Sequence, residues 1–148
     1  MKKIDIVNEA LRVLASDNPR NALKYFTSDF VFSGAVPEPI GGQEYVEIHA
    51  ALKKAFPDWQ FNSSNLVEKG NQVTGFVQVS GTHRGTLEIP GLPTVSATGK
   101  SVKNAREGFT CTFEGDKISE LKVEKVRGAG LLGLFQQIGA KLPEEAMV

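Results

Sequence analysis

The stretch Phe56-Pro57-Asp58-Trp59 separates two parts of the chain whose apolar residues are spaced differently. Before it, apolar side chains recur at steps of three and four, the spacing of a helix face, at Ile4, Val7, Leu11 and Leu14 and again at Tyr45, Ile48, Leu52 and Phe56. After it, apolar and polar residues alternate, as in a strand over residues 73–79. Helices followed by a mainly antiparallel sheet predict an α+β fold.

Length and charge predict a single domain over residues 1–148 with an ordinary apolar core. The 17 basic and 17 acidic residues cancel, so we expect no nucleic-acid partner and no attraction to an anionic membrane. The start of the chain, Met1 to Asp5, lacks the apolar run of a signal peptide, which predicts a cytoplasmic protein.

Metal and disulfide chemistry are poorly supported by the sequence. Cys111 is the single cysteine, so no internal disulfide and no multi-cysteine metal site are expected. The two histidines, His49 and His83, lie far apart in the sequence and no cysteine cluster accompanies them. We therefore predict no metal site.

The hairpin around Glu114-Gly115-Asp116 decides which side chains share a face of the sheet. A two-residue loop would pair Phe109 with the charged Lys122. A three-residue loop would pair Phe109 with Leu121 and Glu107 with Val123, and we prefer it because it places the apolar residues of both strands together. Glu107 and Lys125 would then share that face, diagonally across the two strands. This register predicts a Glu107–Lys125 ion pair. The alternatives are a strand end open to solvent, or a partnerless Glu107 whose raised pKa suits proton transfer.

Two histidines are further candidates for a functional site. His83 has the same strand parity as Val77 and Val79 unless Gly81 marks a bulge, so it could be a pocket acid or base. The alternative is a strand-end histidine bonded to a neighbouring backbone group. His49 lies at the edge of the second helical stripe, where packing is the simpler interpretation.

Four short motifs, in their order and spacing, resemble the SnoaL-like polyketide cyclase family of the nuclear transport factor 2-like superfamily. They are Phe56-Pro57-Asp58-Trp59, Gly81-Thr82-His83-Arg84-Gly85, the hairpin 113–118 and the closing segment 133–139. The resemblance implies a cone-shaped, curved antiparallel sheet with the N-terminal helices packed on its concave face. It also implies a pocket for a small apolar molecule, cofactor-free chemistry and a homodimer.

The family's acid and base positions hold unsuitable residues in this chain. Where members often carry His-Asp after the first strand, this chain has Ser33-Gly34, and the usual Glu-His-Trp matches the run from Glu120 to Val123. We therefore predict a catalytically divergent or silent protein that binds a small hydrophobic ligand without a cofactor. The alternative is a cyclase or isomerase that uses His83 and Glu107. The predicted pocket residues are Phe32, His49, Trp59, Phe61, Phe109, Leu121, Val123 and Lys125.

The homodimer is predicted to form through the outer face of the sheet. Phe76 alternates with the polar residues Thr74 and Gln78 and points away from the valine face, where it would otherwise be an exposed aromatic side chain. Light scattering at micromolar concentration would check this prediction.

Overall fold

The computed structural model describes residues 1–34 and 36–141 as three α-helices, one 3₁₀ helix and eight strands. The helices are α1 (Lys3–Leu14), the 3₁₀ helix (Pro19–Tyr25), α2 (Gly42–Ala55) and α3 (Gly130–Gln137). The strands are β1 (Phe26–Ser33), β2 (Ile40–Gly41), β3 (Ser64–Lys69), β4 (Gln72–Val77), β5 (Ser80–Thr82), β6 (Ser101–Lys103), β7 (Glu107–Glu114) and β8 (Lys117–Val123). Among these residues, every helix is too short or too polar to span a bilayer.

Six strands form one curved sheet in the order β2-β1-β8-β7-β4-β3. All neighbouring strands in it are antiparallel except β1 and β8, which are parallel. Strands β5 and β6 pair separately as a small second sheet. The predicted α+β fold, a cone-shaped sheet with helices on its concave face, is confirmed.

The helices are held on the sheet by their apolar stripes. Helix α1 buries Ile6, Val7, Ala10, Leu11, Val13 and Leu14 in a core cluster that also contains Val73 and Cys111 of the sheet. A second cluster joins the end of α2 to α3 and the loop after β5, through Phe56, Leu87 and Phe135. The space between the sheet and the helices lies where these two clusters meet.

The predicted register of the last hairpin is wrong by two residues. Phe109 pairs with Val123 instead of Leu121, and Glu114 pairs with Lys117 across a two-residue turn. Gly115 supplies a φ of +63°, which suits a tight turn. An irregularity after Thr112 inserts one extra residue into β8, and this bulge brings apolar side chains opposite one another again. The apolar face itself was predicted correctly, because two shifts of one residue preserve the parity.

The strand predicted over residues 73–79 is interrupted, because β4 ends at Val77 and the next strand, β5, begins at Ser80. Beyond Val77 the chain keeps the same two neighbours as β4. The N–H of Gln78 donates to the oxygen of Phe61 at 2.8 Å, and Gln60 and Ser80 form an isolated bridge. On the other side, the N–H of Asn104 donates to the oxygen of Val79 at 2.9 Å and β5 pairs with β6. His83 therefore keeps the buried parity of Val77 and Val79 but lies further along the chain, beyond the cavity lining.

The outer face of the sheet is largely polar around Phe76. That ring is half-buried, and the guanidinium of Arg106 lies over it at 4.1 Å from the ring centroid. The arginine therefore covers part of the apolar surface on which the dimer prediction depends. The homodimer stays a prediction.

Candidate functional site

A cavity of about 110 Å³ lies between the concave face of the sheet and helices α2 and α3. Its aromatic wall consists of Phe32, Tyr45, Trp59, Phe61 and Phe109, together with the imidazole of His49. Its aliphatic wall includes Leu11, Leu52, Val77, Val79, Leu121, Val123, Leu131 and Leu134. The polar groups Asn104 and Glu107 complete the lining. Such a mainly apolar cavity with few polar groups is typical of small-molecule sites.

The aromatic rings are arranged around His49 on helix α2. The ring of Tyr45, one helical turn earlier, meets the imidazole edge-to-face at a centroid distance of 4.7 Å. The rings of Phe61 and Trp59 lie 5.4 Å and 6.2 Å from the imidazole. The ring planes of Trp59 and Phe61 are nearly perpendicular, at 88°, so the faces of the two rings point in different directions. Residues 59–61 precede β3 and bring these rings opposite α2.

Three polar atoms of the cavity lining are buried without a hydrogen-bond partner among residues 1–34 and 36–141: His49 Nδ1, Trp59 Nε1 and Glu107 Oε2. A buried polar group without a partner costs about 1–3 kcal/mol, so such groups are uncommon in folded proteins. The three atoms together offer one indole N–H donor, one imidazole nitrogen and one carboxyl oxygen. A molecule in the cavity could therefore be held by its polar group as well as by its apolar surface.

Glu107 is the first residue of β7 and pairs with Val77 of β4. Its side chain is on the concave, apolar face and only 8% of the residue is exposed. Burial disfavours the charged carboxylate and raises the pKa of Glu107 to about 7. The carboxyl can therefore gain or lose a proton near neutral pH, which few glutamates can do.

The predicted Glu107–Lys125 ion pair is wrong. Lys125 is exposed and lies beyond the end of β8 at Val123, outside the cavity lining. The ion pairs formed by the described residues are elsewhere, at Lys3–Glu68, Glu9–Arg12 and Arg20–Glu47. The observed register, continued by two residues beyond Phe109–Val123, would place Lys125 opposite Glu107. The ladder ends at Val123, however, and the side chain of Lys125 is exposed, so the ion pair does not form.

His49 lies in the cavity wall as an uncharged imidazole. Burial disfavours the imidazolium and lowers the pKa of His49 to about 3. Burial likewise raises the pKa of the neighbouring Tyr45 hydroxyl far above its usual value. At neutral pH both side chains are neutral, so they can exchange hydrogen bonds but carry no charge into the cavity.

His83 lies outside the cavity, and the structure thus separates the two proposed catalytic groups. Its buried ring contacts Phe56 at a centroid distance of 5.3 Å. The N–H of Thr98 donates to His83 Nδ1 at 3.2 Å, and the hydroxyl of Thr98 lies 2.9 Å from the same nitrogen. The backbone of His83 bonds to Gly99 and Lys100. The histidine joins β5 to the end of the loop that follows it, which is the structural alternative foreseen from the sequence.

Asn104 is a lining residue that the sequence analysis missed. Its amide donates to the oxygen of Gly130 at 3.1 Å, and its Oδ1 accepts a bond from Gln137 Nε2 at 2.8 Å. Gln137 also accepts a bond from the N–H of Lys103 at 2.7 Å. These bonds tie α3 to the chain around β6, so that Leu131 and Leu134 close one side of the cavity. Asn104 stands in a polar stretch without periodicity, so no sequence signal marked it.

The predicted pocket residues Phe32, His49, Trp59, Phe61, Phe109, Leu121 and Val123 all belong to the cavity lining, together with Glu107. Tyr45 was also missed, although its place in the helical stripe of α2 was a usable signal. Within residues 1–34 and 36–141, no three His, Cys, Asp or Glu side chains come together as possible metal ligands.

Solved structures with the same fold include several proteins from bacteria. A Jannaschia sp. CCS1 protein named as a SnoaL-like polyketide cyclase has a TM-score of 0.73 at 17% identity, over 94% of this chain and 92% of its own. A protein from Acidithiobacillus ferrooxidans named as a polyketide cyclase has a TM-score of 0.65 at 23% identity, over 93% and 94%. A Catenulispora acidiphila protein with a ketosteroid isomerase-like fold, solved in complex with trimethylamine, has a TM-score of 0.65 at 16% identity, over 92% and 93%.

Sequence comparison identifies the family. No curated protein sequence matches the chain. The family model of the SnoaL-like domain, however, matches residues 7–121, from helix α1 to the middle of strand β8. This match includes most of the residues that line the cavity, although Val123 and helix α3 lie beyond it. The chain therefore belongs to the SnoaL-like domain family.

Proposed function

We propose that the protein binds a small, mainly apolar molecule in the cavity, with the polar group of that molecule next to Glu107. The composition of the wall carries this proposal. Aromatic and aliphatic side chains form most of it, while Glu107, His49 and Trp59 each contribute a buried polar atom without a partner. Apolar burial would supply most of the binding free energy, and the polar atoms would select the orientation.

The proposal includes divergence from the family's usual cyclase chemistry. The positions at which members often carry an acid or base hold Ser33, Gly34 and the run from Glu120 to Val123. Of these, Leu121 and Val123 contribute only aliphatic surface to the cavity. Binding without turnover is therefore the function we favour.

A cavity-filling variant tests the binding proposal. In Val77→Phe the larger ring enters the space above β4, and we expect the affinity for the neutral probe 3,3-dimethylbutan-1-ol to fall at least about ten-fold. Trp59 is the single tryptophan, so its fluorescence reports directly on the cavity wall. Thermal stabilisation by the probe is a second measurement.

The matched control is Val67→Phe, because Val67 is 57% exposed on edge strand β3. This variant should bind the probe within about two-fold of the unmodified protein, since surface substitutions change little. Saturable binding that survives Val77→Phe would show that the probe binds elsewhere, and the proposal would be wrong.

Glu107 supports a second candidate function, which is proton transfer on a bound ketone. A carboxylate with a pKa of about 7 in an apolar wall is a stronger base than an exposed glutamate. It could remove a proton from the carbon next to a carbonyl and return it further along the molecule. The indole N–H of Trp59 is a possible donor to the enolate oxygen.

The isomerisation of cyclopent-3-enone to cyclopent-2-enone, followed by ultraviolet absorbance, tests this candidate. Glu107 would take a proton from C2 and deliver it to C4, so no other reactant is needed. We expect the rate to rise with pH through about 7, as the carboxylate forms, and to vanish in Glu107→Gln. The exposed Glu124→Gln is the control. A rate that equals the background in the unmodified protein would exclude this chemistry for the probe.

A further inference from the structure

The charge of the cavity lining restricts the class of ligand that it can hold. Glu107 is the single acidic side chain among the described lining residues, and that lining contains no lysine or arginine. Its Oε2 is buried without a hydrogen-bond partner. A carboxylate ligand would place a second negative charge beside the first, which is unfavourable in a poorly hydrated site. A positively charged ligand would instead supply the missing partner.

The aromatic rings of the cavity wall also favour a positively charged ligand. The faces of tryptophan, tyrosine and phenylalanine rings attract cations within about 6 Å of the ring centroid. Trp59 and Phe61 stand at 88° to each other, and Phe32 stacks on Tyr45 at a centroid distance of 4.5 Å. Several ring systems therefore line the same cavity as Glu107. Rings around a carboxylate form a suitable environment for a methylated ammonium group, whose methyl groups also need apolar contact.

We propose that the ligand carries a tertiary or quaternary ammonium group, with the carboxylate of Glu107 as its counter-ion and the aromatic rings of the cavity around its methyl groups. This inference rests on the proposed binding function and names the ligand class. The imidazole of His49 and the hydroxyl of Tyr45 are neutral neighbours from helix α2. Strand β8 and helix α3 contribute only aliphatic residues and Gly130 to the lining.

The affinity for such a cation should depend on pH, because the carboxyl of Glu107 changes its charge near neutral pH. Burial holds the pKa of His49 at about 3 and raises that of Cys111, on the same face of β7, to about 12. Neither group changes its charge between pH 5 and 9. The pKa of Glu107, at about 7, lies within this range. The cation should bind the ionised carboxylate, so its affinity should rise with pH up to about 7 and then become constant.

Choline and 3,3-dimethylbutan-1-ol provide a matched pair of probes. They have the same shape, but a quaternary nitrogen in choline replaces a quaternary carbon in the alcohol, and the charge of choline is the same at every pH. In a titration followed by Trp59 fluorescence, we expect choline to bind the unmodified protein more tightly at pH 8 than at pH 5 by at least about ten-fold. The alcohol should bind equally at both pH values.

Two variants connect the pH dependence to Glu107. In Glu107→Gln, choline should lose its pH dependence and at least about ten-fold of its affinity at pH 8, a larger loss than that of the alcohol, which has no charge for the carboxylate to pair with. In Glu124→Gln, both probes should bind as they do to the unmodified protein, because Glu124 is exposed. The two Gln variants differ only in whether the changed carboxyl lines the cavity.

The possible outcomes separate the two proposals. If the alcohol binds and choline binds no more tightly at pH 8, or shows no pH dependence, the ammonium inference is overturned while apolar binding stands. If neither probe binds, both are overturned. Choline binding that persists unchanged in Glu107→Gln would also contradict the inference, since the counter-ion would then lie elsewhere.

Discussion

At pH 8, Glu107→Gln is expected to raise the free energy of unfolding by about 3 kcal/mol, because the variant no longer buries a carboxylate without a partner. The folded-state pKa of Glu107 is about 7, against 4.5 for an unperturbed glutamate. The folded protein therefore holds this proton more tightly than the unfolded chain does. The protonated Glu107 contributes its full share to the free energy of unfolding below pH 4.5. This contribution is lost as the pH rises towards 7 and the carboxyl ionises.

Measured by urea denaturation, the difference between Glu107→Gln and the unmodified protein should be small at pH 4.5 and should reach its full value near pH 8. The buried amide of the glutamine has its own cost, but this cost does not change with pH, so the pH dependence isolates the ionisation. Glu124→Gln is the control and should change stability by less than about 0.5 kcal/mol at both pH values. A Glu107→Gln variant that is destabilised at pH 8 would indicate a cationic partner for Glu107.

Gly34→Ala is expected to lower the free energy of unfolding by about 3 kcal/mol or more. Gly34 follows β1 and has a φ of +98°, a conformation that residues with a Cβ rarely adopt. A Cβ at this position would also lie 1.9 Å from the backbone oxygen of Val123. The substitution must therefore move the end of β1 away from β8, where Val123 lines the cavity.

Gly115→Ala distinguishes the two effects that destabilise Gly34→Ala, which are the positive φ and the collision of the new Cβ with Val123. Gly115 also has a positive φ, of +63°, but a Cβ there would have no atom within 4 Å. Gly115→Ala should therefore cost only about 1–2 kcal/mol, the price of the backbone conformation alone. Both variants are measured by thermal and urea denaturation. Equal losses in the two variants would mean that the end of β1 can separate from β8 without cost.

The contact between Gly34 and Val123 is relevant to the function of the family site. The resemblance to the family aligns Ser33-Gly34 with a His-Asp pair, and a Cβ at position 34 of this chain would collide with the oxygen of Val123. The close approach of the two backbones is thus consistent with the proposal of a binding cavity whose acid and base groups have diverged.

The local pattern of the sequence was sufficient for the fold and for most of the cavity wall. The stripe of α1, the second stripe ending at Pro57 and the alternation in β7 and β8 depend on neighbours in the chain, and periodicity reports such local relations directly. The apolar face of β7 was correct even with the wrong register, because a bulge and a shorter turn together restored the parity. Phe109, Leu121 and Val123 therefore face the cavity between the sheet and the helices.

The chemistry of the site was decided by tertiary structure. His83 lies outside the pocket because β5 carries it past the cavity, where its ring packs on Phe56 and its backbone bonds to Gly99 and Lys100, and no local signal encodes where the cavity ends. Glu107 has no cationic partner because β8 ends at Val123, short of Lys125. Asn104 became a lining residue through its bonds to α3. Each outcome depends on which distant backbone groups pair, and sequence periodicity contains no information about partners far apart in the chain.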